Sequence, residues 1–420
     1  MSFFISKLKS FTKKVLFLII ISLPLILTVF CNIIGKNDNH INRDVQVEIE
    51  EVNVKRYSAV DNIHAKYALL MDADNGRVLY EKDGFTKAPM ASTTKIMTLI
   101  IALENANPND VVTVSDYAAS MPDVQLNIKS GEQYRLIDLM YSMMLESHND
   151  SAVAIAEHVG GSVEGFAKLM NEKAYELGAY NTNFVTPNGL DADNHYTTAY
   201  DLALIASYAI KKHDFREIVG TQQYSFNEQT KGKAFTVNNK DRFLTSYPGA
   251  IGIKTGFTGN AGYCFVGAVD RDNKHLVSVV LAAGWPPYKM YKWQDTLRLM
   301  DYGITYYNFK DIISKDTVFE SVKVTDSIEG GDITPYINEN VSLLLSEDEK
   351  VDIEINLPKS LQAPVLKDEE IGSVKILIDG NEYRKLPVYS SEGKRRLTYK
   401  YVLKSLICKY IRTTNEDIIN

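Results

Sequence analysis

The order in which strand-like and helix-like patterns follow one another is the strongest constraint on how this 420-residue chain folds. Two short apolar runs around Asn75-Gly76 predict a β-hairpin, because that dipeptide favours a tight two-residue turn. From Ile96 onward, apolar residues recur at helical spacing in several successive stripes, which predict helices. After about Val237 the pattern returns to strands, over residues 252–257, 262–269 and 275–283. Helices between an early hairpin and late antiparallel strands indicate an α+β domain over residues 59–310.

A second, smaller domain is predicted over residues 316–390, where short alternating strands are separated by turn residues. We interpret it as a small all-β sandwich. None of its residues form a cluster that suggests chemistry.

The N-terminus carries an export signal. Lys7, Lys9, Lys13 and Lys14 precede an apolar run over residues 15–34, which approaches the ~20 residues that a membrane span requires. We predict a signal peptide or a signal anchor over residues 1–35 and a polar linker over 36–58. The choice between cleavage and retention stays open.

The C-terminal tail, residues 393–412, contains seven basic residues and no acidic ones. Arg396, Lys400 and Lys404 repeat every fourth residue, while leucines, isoleucines and tyrosines fill other positions. This pattern favours a basic amphipathic helix that lies on an anionic membrane surface. A docked or solvated helix is the alternative.

Charge and cysteine content exclude several classes of function. A net charge of -7 argues against nucleic acid as a partner. Cys31, Cys264 and Cys408 are far apart, so neither a disulfide framework nor a zinc site is indicated.

Ser92 and Lys95 are the first candidate catalytic pair. Residues three apart on a helix share a face, so the two side chains can meet. Serine becomes a nucleophile when a base takes its proton. Lysine needs a pKa near ~7–8 for that task, against its usual ~10.4, and this shift amounts to about 4 kcal/mol. Taken alone, the pair is better explained as a capped helix with a surface lysine.

Two further stretches reverse that interpretation. Ser147-His148-Asn149 follows an apolar helix, where Ser147 can relay a proton and Asn149 can bind the lysine or a substrate amide. Lys254-Thr255-Gly256 lies within a predicted strand. Its lysine and threonine suit a carboxylate, and its glycine permits close approach of another backbone.

Together, Ser-x-x-Lys, Ser-x-Asn and Lys-Thr-Gly form a signature that resembles the low-molecular-weight penicillin-binding proteins. These are the D-alanyl-D-alanine carboxypeptidase family of serine peptidases. The resemblance extends from about Ala59 to Tyr306 and includes residues 184–201 and 257–263. It implies a penicillin-binding/β-lactamase-like transpeptidase domain, in which an antiparallel sheet carries a helical cluster. The small β domain and the basic tail are similar to that family's layout.

The resemblance also implies roles for individual residues. Ser92 would form the acyl-enzyme, Lys95 would be its general base, and Ser147 and Asn149 would support proton transfer and hold substrate. Lys254, Thr255 and Gly256 would bind the terminal carboxylate region. The backbone N–H groups of Ser92 and Phe257 would form the oxyanion hole. The implied substrate is a peptidoglycan stem peptide ending in D-Ala-D-Ala, β-lactam antibiotics would be covalent inhibitors, and no cofactor or metal is required.

The sequence departs from the family pattern at two points. His148 stands where a small residue is common, and we expect its side chain to point away from Ser92. The stretch 288–292 offers Lys289 and Lys292 where the family often has an arginine, so a carboxylate contact there would lack bidentate geometry.

Three functions stay open on the sequence. Residues 181–189 contain no acid to speed deacylation, which favours a penicillin-sensitive peptidase over a β-lactamase. A D,D-endopeptidase of peptidoglycan cross-links would use the same residues. A non-catalytic penicillin-sensing or cell-wall-binding module is the third possibility. In each case we expect an exported, membrane-associated protein whose catalytic domain lies outside the cytoplasm.

Overall fold

A five-stranded antiparallel sheet forms the centre of the first domain. The computed structural model describes Val60 and residues 62–416, so the predicted signal segment and linker lie outside the described residues. The strands of this sheet are Tyr67–Asp72 (β1), Val78–Lys82 (β2), Ala250–Thr258 (β7), Gly262–Arg271 (β8) and Lys274–Leu281 (β9). Their order in the sheet is β2-β1-β9-β8-β7. The predicted hairpin around Asn75-Gly76 is confirmed, because β1 and β2 pair across it.

The side chains of β1 belong alternately to two apolar cores, which shows that both faces of the sheet are covered. Leu69 and Met71 belong to a large core shared with a helical cluster, whereas Ala68 and Leu70 belong to a core shared with a late helix. Successive side chains of a strand point to opposite faces, so one strand serves both cores. The late helix is Tyr291–Tyr306 (α9), preceded by the short Phe243–Ser246 (α8).

The helical cluster covers the Leu69 face. Five of its helices coincide with the predicted apolar stripes, and the one that was expected to start near Thr198 is capped by that residue, whose hydroxyl accepts from the Asp201 N–H. Two shorter ones, at residues 116–119 and 213–220, were not predicted. The helices of the cluster are Lys95–Asn105 (α1), Asp116–Ala119 (α2), Leu136–Leu145 (α3), Asn149–Gly160 (α4), Val163–Glu176 (α5), Ala199–Ala209 (α6) and His213–Gly220 (α7). Two small two-stranded antiparallel sheets accompany the cluster, Val111–Thr113 (β3) with Gln133–Arg135 (β4) and Gln223–Asn227 (β5) with Ala234–Asn238 (β6).

The second domain is all β. Two of its sheets share one apolar core, which includes Leu343, Val374 and Val388. The strands are Asn308–Ile313 (β10), Val322–Thr325 (β11), Asp332–Ile333 (β12), Pro335–Tyr336 (β13), Val341–Leu345 (β14), Val351–Asn356 (β15), Ser360–Gln362 (β16), Glu370–Ile378 (β17) and Asn381–Ser390 (β18). One sheet has the order β13-β18-β17-β15, another pairs β10 with β14, and a third has the order β12-β11-β16.

The predicted boundary between the two domains lies a few residues too late. β10 begins at Asn308, inside the range assigned to the first domain, and pairs with β14 of the second. Only Tyr307 separates the end of α9 from the start of β10. Because no turn residues lie between the two elements, the sequence does not mark the boundary.

The C-terminal helix also begins later than predicted, at Tyr399, and extends to Glu416 (α10). The start of the predicted helix is extended instead, because Lys394 bridges to Val365 and Arg396 bridges to Ser327 in the β domain. Apolar side chains on α10, among them Leu403, Leu406 and Ile407, are exposed. Within Val60 and residues 62–416, no helix combines the length and apolarity that crossing a bilayer requires.

Candidate active site

Ser92 lies in a tight 3-10 turn, Ala91–Thr94, that leads directly into α1. The preceding residue, Ala91, adopts a left-handed backbone conformation with φ of +48°. Non-glycine residues rarely adopt it. The turn is secured by its threonines, since Thr93 Oγ1 donates to Met90 O at 2.6 Å and Thr94 Oγ1 donates to Ala91 O at 2.8 Å. Ser92 is thereby held half-buried at the edge of the helical cluster.

Lys95 is completely buried, and its amine contacts three oxygens. Nζ lies 2.9 Å from Ser92 Oγ, 2.9 Å from Asn149 Oδ1 and 2.5 Å from the backbone oxygen of Asn188. Burial, followed by the charge of Lys254, holds the pKa of Lys95 well below its usual value, and Asp150 opposes that shift. These surroundings favour a neutral amine.

The three contacts determine how a neutral amine would be oriented. Two of its partners, the amide oxygen of Asn149 and the carbonyl of Asn188, can only accept hydrogen bonds. They take the two N–H groups, and the lone pair of Lys95 is left for the hydroxyl proton of Ser92. The arrangement can therefore activate Ser92 as a nucleophile.

Asn149 is the first residue of α4, and its side chain is fixed on both sides. While Oδ1 faces Lys95, Nδ2 donates to the backbone oxygens of Pro122 and Asp123, each at 3.1 Å. This settles which side of the amide faces the lysine, because only the NH₂ group can donate to those carbonyls.

Ser147 and His148 connect α3 to α4. Ser147 has φ of +71° and is half-buried, and within residues 62–416 its hydroxyl makes no hydrogen bond. A role for Ser147 as proton relay stays a prediction. His148 points away from Ser92, since its Nδ1 lies 2.8 Å from Ser142 Oγ and its Nε2 3.3 Å from Glu146. Burial lowers the pKa of His148.

β7 passes the Ser92 turn at close range. A Cβ at Gly256 would lie 3.1 Å from the backbone nitrogen of Ser92, so glycine permits this approach. Lys254 is buried, and burial together with the charge of Lys292 lowers its pKa to about 7. Its Nζ donates to Thr255 O at 3.2 Å. Phe257 is 43% exposed, with its ring 4.6 Å from that of Tyr263.

Of the two lysines in residues 288–292, Lys292 adds positive charge beside β7. Burial lowers its pKa to about 8, and its charge in turn lowers the pKa of Lys254. The amine also lies 5.5 Å from the centre of the Tyr263 ring. Lys254 and Lys292 thus lie near enough for their charges to interact, and this cationic region suits a carboxylate.

The loop of residues 187–189 holds Lys95 from the other side, a contact that was not predicted. Pro187 O accepts from Thr98 Oγ1 at 2.5 Å, Asn188 O accepts from Lys95, and Gly189 abuts the Ser92 turn. Residues 181–189 contain no acid, and within residues 62–416 no carboxylate hydrogen-bonds Lys95. A backbone carbonyl has no residue signature, which is why this partner could not be read from the sequence.

The described residues that could together hold a metal ion lie elsewhere. His213, Asp214 and Glu217 are exposed at the start of α7, with ligand atoms within 4.8 Å of one another. None of them contacts Ser92 or Lys95.

Two family profiles match the chain. One, described as D-alanyl-D-alanine carboxypeptidase, matches residues 53–284. The other, described as penicillin-binding protein 5, C-terminal domain, matches residues 307–394.

Individual relatives agree with these matches. D-alanyl-D-alanine carboxypeptidase DacF of Bacillus subtilis is 32% identical over 348 residues, which cover 81% of this chain and 88% of the relative. D-alanyl-D-alanine carboxypeptidase of Streptomyces sp. strain K15 is 34% identical over 56% of this chain and 84% of its own length. The crystal structure of penicillin binding protein 5 from Haemophilus influenzae superposes with a TM-score of 0.68 at 26% identity, covering 80% of this chain and 98% of that one.

Proposed function

The chain belongs to the D-alanyl-D-alanine carboxypeptidase family, and on that premise we propose that it removes the terminal D-alanine from peptidoglycan stem peptides through an acyl-enzyme on Ser92. This serine peptidase activity would limit cross-linking of the cell wall, and penicillin would inhibit it. The endopeptidase and the non-catalytic alternatives are not favoured, since the named relatives are carboxypeptidases.

One observation carries the proposal: the buried amine of Lys95 lies 2.9 Å from Ser92 Oγ while its other two partners are pure acceptors. A neutral lysine in that position takes the hydroxyl proton as Ser92 Oγ attacks the penultimate carbonyl carbon. The negative charge that develops on the carbonyl oxygen is stabilised by the N–H groups of Ser92 and Phe257. Losing one such donor typically costs ~2.7–4 kcal/mol.

Collapse of the tetrahedral intermediate breaks the C–N bond. The nitrogen of the departing D-alanine takes a proton from the Lys95 ammonium, directly or through the Ser147 hydroxyl. Lys95 is then neutral again and can accept a proton from the water that attacks the ester. That water supplies the hydroxyl of the carboxylic acid product, and Ser92 recovers its proton.

The cationic region defined by Lys254 and Lys292 supports binding of the substrate's terminal carboxylate, together with Thr255. A bound carboxylate favours the charged form of Lys254, whose pKa of about 7 lies near neutral pH in the free protein. Substrate binding and protonation of Lys254 are thus expected to reinforce each other.

We also propose that the protein is exported and associated with the cell membrane, with its catalytic domain on the extracytoplasmic side. The basic front and apolar run of residues 1–35 support export. Lys400 and Lys404 on α10, together with its exposed apolar residues, support attachment to an anionic lipid surface.

Release of D-alanine tests the activity. The full chain is incubated with a stem pentapeptide ending in D-Ala-D-Ala and, separately, with cross-linked stem dimers, and the products are separated by chromatography. We expect D-alanine and tetrapeptide from the first substrate, and none from Ser92→Ala. Consumption of dimers without D-alanine release would favour the endopeptidase instead.

A further inference from the structure

Lys254, Gly256 and Thr258 share one face of β7, the face on which Gly256 abuts the Ser92 turn. Lys254 is near enough for its charge to lower the pKa of Lys95, and Gly256 abuts the Ser92 nitrogen. The next residue on that face is Thr258, whose Oγ1 donates to Asp191 Oδ1 at 2.9 Å. Asp191 therefore lies beside Thr258, two residues along β7 from the glycine that abuts the Ser92 turn.

The carboxylate of Asp191 is held in place from two directions. Its chain segment is fixed by Gly189, which packs on the Ser92 turn, and its side chain by Thr258, whose Oγ1 also accepts the Ala261 N–H at 3.0 Å. Asp191 is exposed, and no lysine, arginine or histidine within residues 62–416 pairs with it. This exposed negative charge thus lies between the Gly189 loop and β7 without a paired cation.

The direction of a bound stem peptide follows from the proposed function, on which this inference rests. With the terminal carboxylate beside Lys254 and the scissile carbonyl between Ser92 and Phe257, the substrate runs antiparallel to β7. An extended chain advances ~3.3 Å per residue. The residue that precedes the two D-alanines therefore lies beside Thr258 and Asp191.

We propose that Asp191 binds the side-chain ammonium of that third stem residue, a diamino acid, with Thr258 positioning the carboxylate. A substrate ammonium in this position would form an ion pair with the Asp191 carboxylate. Once the side-chain amine has become an amide in a cross-link it carries no charge. Asp191 thus makes the enzyme prefer stems whose third residue is not yet cross-linked.

Two synthetic substrates test the proposal. Nα-acetyl-Lys-D-Ala-D-Ala keeps the side-chain ammonium, and Nα,Nε-diacetyl-Lys-D-Ala-D-Ala lacks it. With the full chain we expect kcat/KM to be about fivefold higher for the ammonium substrate, as an exposed ion pair allows. The ratio should fall to about one in Asp191→Asn, chiefly through KM, and the wild-type ratio should shrink at high salt.

The ratio separates a specificity role from a structural one, since a general loss of activity cancels between the two substrates. Asp193→Asn is the matched control, because Asp193 is an exposed carboxylate two residues further along that makes no hydrogen bond or ion pair within residues 62–416, and it should keep the wild-type ratio. A ratio of one in the wild type, or an unchanged ratio in Asp191→Asn, overturns the proposal. Failure of the wild type to release D-alanine from either substrate would contradict the proposed function itself.

Discussion

Gly189 lies so close to Ala91 that a Cβ on the glycine would be 2.0 Å from the Ala91 backbone oxygen. Real atoms cannot approach so closely, so this contact admits only glycine, whose φ of +81° is also one that other residues avoid. The loop that supplies the Asn188 carbonyl to Lys95 is thereby pressed directly against the turn that carries Ser92.

Gly189→Ala should displace that turn and slow acylation by penicillin about 100-fold, since displacements of about 1 Å in a catalytic site have effects of that size. Stopped-flow acylation rates measure it. Gly131→Ala is the control, because Gly131 has nearly the same φ, +80°, with nothing within 4 Å of its Cβ position. Equal acylation rates in the two variants would show that the contact does not position Ser92.

His195 links the loop to the same turn and should make stability depend on pH. Val185 N–H donates to its Nδ1 at 3.0 Å, so Nε2 carries the proton towards Thr94 Oγ1 at 2.9 Å. Burial lowers the pKa of His195 to about 4. Between that value and the usual ~6.5 the unfolded chain binds more protons, so stability falls as the pH drops through this window.

His195→Gln should remove that part of the dependence, which amounts to about 3 kcal/mol of unfolding free energy between pH 6.5 and 4. Denaturant unfolding at several pH values measures it. Identical slopes for His195→Gln and the wild type would contradict the prediction.

Arg77 joins the two domains through a largely buried ion pair. It follows the β1–β2 turn, pairs with Glu349, donates to Leu344 O and lies 5.7 Å from the Tyr307 ring centre. Arg77→Leu leaves Glu349 without its partner and should cost about 3 kcal/mol of unfolding free energy. Thermal and denaturant unfolding measure it.

Arg384→Leu provides the comparison, since Arg384 pairs with Glu339 at 2.9 Å on the surface of the β domain. Exposed pairs contribute about 0–1 kcal/mol. If the two arginine variants lose equal stability, the buried pair has no special role in holding the domains together.

Charge reversal on α10 tests the membrane proposal. Lys400→Glu/Lys404→Glu should weaken binding to phosphatidylglycerol vesicles by about 2 kcal/mol or more, since each lysine near an anionic surface contributes about 1 kcal/mol. Co-sedimentation measures the bound fraction. Lys359→Glu/Lys385→Glu makes the same charge change on the exposed surface of the β domain and should bind as the wild type does. Similar loss in both variants would argue against α10 as the binding element.

Local patterns were enough to predict most helices and strands and the closeness of Ser92 to Lys95, because one helical turn brings such residues together. Asn149 was expected to bind the lysine or a substrate amide, and its amide oxygen contacts Lys95. The Asn188 carbonyl and the Gly189–Ala91 contact were not predictable, since both are made by backbone atoms.

Long-range pairing explains the other differences. Arg77 and Glu349 lie far apart in the chain, and nothing near Arg77 announces an interdomain contact. The late start of α10 depends on strand-like bridges from residues 394–396 to the β domain, which override the helical pattern of those residues.

The most direct test of the central claim, that Lys95 activates Ser92 for acylation, is intact-protein mass spectrometry after exposure to benzylpenicillin, followed by peptide mapping. We predict a single added penicilloyl group on Ser92 in the full chain, and none in Ser92→Ala or Lys95→Met. An unmodified wild type, or the same adduct in either variant, would contradict the account.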